Sequence, residues 1–409
     1  MEDAGHDDGR VRNVCVTAPA EGIMRRSRAG ARCPPYEERR GRAPVHALPP
    51  VWCDAAGPAA LPLLFFIQPG YGEPMSSGHA PSFTPSLEGD DDAVLPFAVE
   101  ALDLRGRAVR LGPSIDTILR RHGYPDAVAR LIGEAAALTV LLGASLKLEG
   151  RFQLQTKTDG PVNMLVVDFE APDRVRATAR FDAEPVAALG PKARAADLMG
   201  RGHLAMTIDQ GPSQSRYQGV VALEGQSLEE AAHQYFRQSE QIPTLVRLAV
   251  AEQMEGGESR WRAGGLLVQF LPTSPDRMRQ ADLPPGDAPE GHEILTGGTR
   301  DDDAWTEARS LVNTVEDHEI VDPAVSSERL LYRLFHERGV RVFDAQSVIE
   351  RCRCSEERVL GMIRSFSAEE RRDMVADDGT VSITCEFCSR RYVLDPAEVE
   401  RDIATAPGA

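Results

Sequence analysis

RFQLQTKT (Arg151–Thr158), then Asp159-Gly160, then PVNMLVVDFE (161–170) is the stretch that decides the fold class. Two strand-like runs joined by Asp-Gly read as a β-hairpin, because that dipeptide accepts the positive φ of a tight turn. Upstream, FAVEALDL (97–104) and RAVRL (107–111), separated by Arg105-Gly106, read as a further hairpin. Helices are expected between them. Ser114 can cap SIDTILRRH, and after the break at Pro125 residues 126–148 are apolar on nearly every face, as in a buried helix. Downstream, RVRATARF (174–181), HLAMTID (203–209) and YQGVVAL (217–223) supply strands. Ser227 and Glu230 form a capping box for LEEAAHQYFRQSE, and strands over TLVRLAVAEQ and WRAGGLLVQFL close the domain. The expected class is α+β, a mostly antiparallel sheet with inserted helices, then a helical linker and a small C-terminal four-cysteine zinc module.

The chain has 409 residues, enough for two or three folding units. Residues 1–92 are rich in Arg, Pro, Gly and Ala without period, which predicts a disordered N-terminal extension. Met75, just ahead of the polar lead into the first strand, is a candidate native start, which would make Cys15, Cys33 and Cys53 incidental. The α+β core is expected over 93–272 and a linker with helices over 273–350. The linker opens on a Pro-, Gly- and Asp-rich stretch to Gly298 and continues in helices from Asp301, from Ser326 and from Asp344. Leu330, Leu331, Leu334 and Phe335 form an apolar stripe too small for a core of its own, so this section should be conditionally stable. The zinc-binding module is expected over 351–409.

A net charge of -17 and a pI near 5.1 argue against broad binding to nucleic acid or anionic membranes. From Arg351 onward nine arginines face twelve acidic residues, which also disfavours a nucleic-acid zinc finger. No apolar run reaches the length of a membrane span, and no secretory signal opens the chain. HExxH, GxSxG and phosphate-loop motifs are missing, so no catalytic residue is assigned. The acidic run at Asp301 to Asp303 is read as a helix N-terminal cap.

Of the seven cysteines, Cys352, Cys354, Cys385 and Cys388 crowd into the last sixty residues, which suggests metal or redox chemistry in a reducing cytosol. Zinc takes four thiolates at tetrahedral corners, and two local pairs, CxC and CxxC, deliver them at low entropic cost. The spacer has room for two helices, one capped by Ser355 and one by Ser367 with Glu370, each with an apolar stripe able to cover the metal. Arg351, Arg353, Arg358, Arg390 and Arg391 lie close in sequence and favour the anionic, oxidisable sulfur. A module this small depends on its metal to fold, so oxidation, zinc release and unfolding become linked. A passive zinc knot, a constitutive zinc-stabilised binding module and a thiol oxidoreductase using Cys385 and Cys388 are the alternatives.

The residues resemble the heat-shock protein thirty-three family of redox-regulated bacterial chaperones, over about three-quarters of the chain. The resemblance rests on CxC and CxxC in order, YFRQSEQIPT from Tyr235, AGGLLVQFLP from Ala263, GRGHLAMTID from Gly200, LFHE from Leu334 and CSEER from Cys354. It implies a cytoplasmic, ATP-independent holdase, not an enzyme, quiet when reduced and bound to one zinc ion. Oxidation would join Cys352 to Cys354 and Cys385 to Cys388, eject zinc, unfold module and linker, and expose apolar surface to unfolding client proteins. The active form would be a homodimer. The N-terminal extension departs from the family pattern.

Overall fold

The computed structural model describes residues 91–145, 150–210, 216–272 and 302–400. The expectations for the first ninety residues and for the stretch 273–298 lie outside them.

The described chain runs through β1 (Ala93–Val99), β2 (Leu104–Leu111), α1 (Pro113–His122), α2 (Asp126–Gly143), β3 (Arg151–Thr158), β4 (Met164–Glu170) and β5 (Arg174–Arg180). Next come α3 (Ala183–Leu189), α4 (Ala195–Met199), β6 (Arg201–Asp209), β7 (Tyr217–Glu224), α5 (Leu228–Tyr235), β8 (Thr244–Glu255) and β9 (Glu258–Phe270). Three linker helices follow, α6 (Asp303–Asn313), α7 (Asp317–Val321) and α8 (Ser327–Phe335), then three two-residue strands, β10 (Arg341–Val342), β11 (Gln346–Ser347) and β12 (Ile349–Glu350). The last elements are α9 (Glu356–Arg364), α10 (Ala368–Asp373), β13 (Val381–Thr384), β14 (Arg391–Leu394) and α11 (Pro396–Glu400). The α+β class therefore holds, with two six-stranded sheets rather than one. The first is ordered β10-β1-β2-β9-β8, with β11 also on β1; the second is β12-β5-β4-β3-β6-β7. All pairings are antiparallel except β12 with β5.

Helix α2 packs on β2, β8 and β9 of one sheet and on β3, β4 and β5 of the other, which is why its sequence is apolar all round. Gly143 lets the Phe169 ring approach: a Cβ there would sit 2.6 Å from Phe169 Cδ1. Neither is β9 half-buried. Ala263 and Leu267 join the core with α2, while Leu266, Val268 and Phe270 pack with Trp305, Leu331 and Phe335 of α6 and α8. Strands covered on both faces read as near-continuous apolar runs.

Four local expectations need correction. The β1–β2 connection turns at Glu100 to Asp103, where Asp103 has φ 51°, and Arg105-Gly106 lies inside β2. Gly106 stands opposite Phe97, whose Cζ would be 2.3 Å from an added Cβ, so the glycine makes room for a ring instead of a turn. Ser114 lies within α1 and does not cap it: Pro113 at the first helical position moves the start upstream. The cap comes from Asp92, whose carboxylate accepts from the N–H groups of Gly112 and Ser114 (both 2.9 Å) and from Ser114 Oγ. No helix starts at Asp344. Residues 341–350 are drawn into β10, β11 and β12 because the open edges of β1 and β5 offer unpaired backbone groups. Lastly, α10 buries none of its residues, so one helix, α9, covers the cysteines through Val359 and Ile363.

Other expectations hold. The hairpin at Asp159-Gly160, the β8–β9 pair and the Ser227–Glu230 capping box are present. Asp302 caps α6 by accepting from Ala304 N–H, and Ser326, Ser355 and Ser367 cap α8, α9 and α10. Among the described residues no helix is long and apolar enough to cross a membrane.

Candidate metal centre

The two cysteine pairs arrive by different routes. Strand β12 adds in parallel to β5, with Ile349 N–H on Asp173 O (2.7 Å) and Arg351 N–H on Val175 O (3.1 Å), so Cys352 leaves the edge of the second sheet at a fixed height. Three residues on, the Ser355 cap starts α9. Cys385 to Cys388 form the turn of the β13–β14 hairpin. Cys385 N–H donates to Arg390 O at 2.9 Å, Ser389 N–H to Cys385 O at 2.8 Å, and Ser389 takes φ 53° to close the loop. Val359, Ile363, Val381, Tyr392, Leu394 and Val399 make a small core behind the sulfurs.

All four Sγ atoms lie within 4.8 Å of one another. Cys352 and Cys385 sulfurs are 3.7 Å apart, and those of Cys354 and Cys388 3.2 Å. A tetrahedral ion with metal–sulfur bonds of about 2.3 Å needs sulfur–sulfur edges of about 3.8 Å, so the set fits a metal once the short contact opens and the longer separations close in. Electrostatics agree. The hydrogen bond from Cys385 draws the Cys352 thiol down to about 4, donating it pushes the Cys385 thiol up, and burial pushes Cys388 up to about 11. Four sulfurs this close share one another's protons unless a cation replaces them.

The nearby arginines behave differently from expectation. Arg358 Nη1 donates to Arg353 O (3.0 Å), Arg353 reaches Glu170 (3.7 Å), Arg390 lies 5.8 Å over the Tyr392 ring, Arg351 enters through its backbone, and Arg391 opens β14. The guanidinium that meets a cysteine sulfur is Arg176 of β5, whose Nη1 is 3.9 Å from Cys352 Sγ and whose Cζ lies 3.9 Å over the Phe387 ring. Further along the same strand face, Thr178 Oγ1 donates to Glu386 O (2.9 Å) and Arg180 pairs with the Glu386 carboxylate (2.9 Å). From α1, His122 reaches Phe387 O (3.0 Å) and Ser389 Oγ (3.1 Å), and Arg121 forks onto Glu350 (2.7 and 3.0 Å). The alternation in RVRATARF shows that Arg174, Arg176 and Arg180 share a face. It carries no sign of a partner more than 170 residues later.

Residues 92–395 match the family model described as Hsp33 protein. The chain is similar to the 33 kDa chaperonin of Caulobacter vibrioides strain NA1000 / CB15N, with 46% identity over 75% of this chain and 95% of the relative. It is also similar to that of Pseudomonas aeruginosa strain LESB58, with 35% identity over 76% and 94%. The crystal structure of the 33 kDa chaperonin of Thermotoga maritima superposes with a TM-score of 0.60 at 18% identity, covering 76% of this chain and 97% of that one, a likeness of fold.

Proposed function

The chain belongs to the Hsp33 protein family, and on that premise we propose a redox-regulated, ATP-independent holdase whose four-cysteine module is the switch. Family membership makes it a chaperone with unfolded proteins as clients. The finer reading has Cys352, Cys354, Cys385 and Cys388 holding one Zn2+ in the reduced form. Four thiolates leave no open position, the arrangement of a structural zinc, which supplies folding energy on the order of 10 kcal/mol to a module with a six-residue buried core.

The observation that carries the reading is the continuity of the linker. The helices that cover Leu95, Phe97, Val99, Leu266, Val268 and Phe270 lead through β10, β11 and β12 directly into Cys352. A module that lets go removes the anchor of that cover, and the apolar face beneath is of the kind that captures unfolding chains. In balance, four thiols and two molecules of hydrogen peroxide give two disulfides and four waters. The proposed disulfides are Cys352 with Cys354 and Cys385 with Cys388. Sulfur contacts across the pairs exist in the reduced form, but one and two intervening residues keep each local pair together once tertiary structure is lost.

The proposal extends to the units 93–272, 273–350 and 351–409, a homodimer as the oxidised form, no enzymatic activity, no nucleic-acid or membrane partner, and a cytoplasmic setting that keeps the thiols reduced. A CxxC enzyme places its pair at a helix start, whereas Cys385 and Cys388 sit in a hairpin turn, which disfavours the oxidoreductase alternative. Zinc content and free thiols, measured before and after peroxide at mild heat, test the switch beside light scattering of an aggregating client. One zinc lost as four thiols disappear, with suppression appearing only then, is the expected result. Equal suppression by reduced, zinc-loaded protein leaves a constitutive binding module instead.

A further inference from the structure

We propose that Arg176 is the positioning residue that holds the four-cysteine cluster on the second sheet and sets the oxidant dose at which it opens, an inference that rests on the switch reading above. Arg176 is held from below. Its Nε and Nη2 donate to Asp168 Oδ2 at 2.9 and 2.5 Å, and Asp168, its cross-strand neighbour on β4, is 3% exposed and also accepts from Gln153 Nε2 at 2.8 Å. A guanidinium anchored this way through Nε and Nη2 keeps Nη1 and its faces for other partners. Nη1 goes to Cys352 Sγ and a face to Phe387, so a single side chain touches a sulfur of the first cysteine pair and the residue inside the second.

Two consequences follow from this geometry. An N–H donated to a thiolate withdraws electron density from sulfur, which makes it a weaker nucleophile toward peroxide and a steadier ligand. Clamping Phe387 keeps the Cys385–Cys388 turn against Cys352, so neither pair moves off without breaking contact with the sheet. Thr178 and Arg180 hold only the Glu386 side of the loop. Lysine cannot replace arginine here. Its single ammonium cannot fork onto Asp168, reach Cys352 and stack on Phe387 together.

The test uses the full chain loaded with zinc. Zinc release is followed with a metallochromic indicator, first at fixed peroxide and then, in reduced protein, during transfer to a chelator. Arg176→Gln is expected to release zinc about tenfold faster in both arms, and Arg176→Lys to fall between it and the native protein. Hydrogen exchange over β3, β4 and β6 should stay native in both, which separates positioning from damage to the core. If Arg176→Gln does not fold, Arg176→Gln with Asp168→Asn removes both charges and is expected to show the same acceleration. Native peroxide kinetics in the variants, while the native chain still loses zinc, overturn the assignment and leave the switch standing. Retention of zinc by the native chain under peroxide defeats the switch reading, and the chelator arm then decides Arg176 alone: equal rates overturn it.

Discussion

The linker helices meet the first sheet through Trp305, Ala308, Val312, Leu331 and Phe335, whereas the cysteine module meets the second through Arg176, Thr178 and Arg180 and meets α1 through His122. One contact is apolar: Phe335 stacks on Phe97 at 5.9 Å and Trp305 lies 6.1 Å from Phe270. Its polar members include two buried arginines, with Arg262 Nε on Val321 O at 2.7 Å and Arg110 forking onto the carbonyls of Asp322 and Val325. The other contact consists of directional bonds at the edge of a small module. Apolar burial is non-directional and survives small displacements, while charged hydrogen bonds are lost once their geometry goes. On the proposed switch, the module is therefore expected to leave first and the linker to follow.

Phe335→Ala breaks the comparison hardest. Deleting a fully buried ring typically costs about 3 to 5 kcal/mol, and the loss falls on the linker's attachment while the cysteine core, a separate cluster, is untouched. The expected outcome is faster hydrogen exchange in α6 and α8 with native zinc content, together with client capture by the reduced protein. Protected α8 amides in this variant would show that the apolar contact is not what holds the linker.

How far the sequence reached follows the same divide. Strands such as RFQLQTKT, and the serine caps at positions 227, 355 and 367, were legible because their partners lie within a few residues. The CxC and CxxC spacing likewise pointed to the four sulfurs that the fold brings together. What stayed hidden depends on distant partners. Gly106 looked like a turn until Phe97 was placed across from it, Ser114 like a cap until Asp92 took that role, and the chain from Asp344 like a helix until two sheet edges claimed it. Arg176 is the same case at the functional site: local charge counts favoured arginines next to the cysteines, and tertiary folding supplied one from β5.

Acid–base behaviour sharpens the contrast on the linker side. Glu134 of α2 is pushed up to about 7 by burial and by the carboxylates of Glu229 and Asp317, against which Arg130 works, and Arg247 of β8 pairs with Asp317 at 2.9 Å and Glu229 at 3.9 Å. Since the folded value lies above the ordinary 4.5, the native state binds the extra proton. Stability is then full below pH ~4.5 and declines as pH rises through ~7, with about 1 kcal/mol of that loss falling between pH 6 and pH 8. Asp317 opens α7, so exchange at 317–321 is the place to read it. Glu134→Gln is expected to remove the dependence there.

The smallest effect belongs to the module's rim. Arg180 and Glu386 are about 40% exposed, at 39% and 41%, and pairs of that exposure contribute roughly 0.2 to 1 kcal/mol, screened further by salt. Arg180→Ala should therefore shift exchange protection of the Cys385–Cys388 turn by under about 1 kcal/mol, and raising the salt should reproduce most of the shift in the native chain. Thr178 Oγ1 still holds Glu386 O in that variant, and Arg176 still holds Phe387. A loss as large as that of Phe335→Ala would mean that exposed charge, not the buried Arg176–Asp168 pair, fastens the module, and the order in which module and linker detach would have to be derived again.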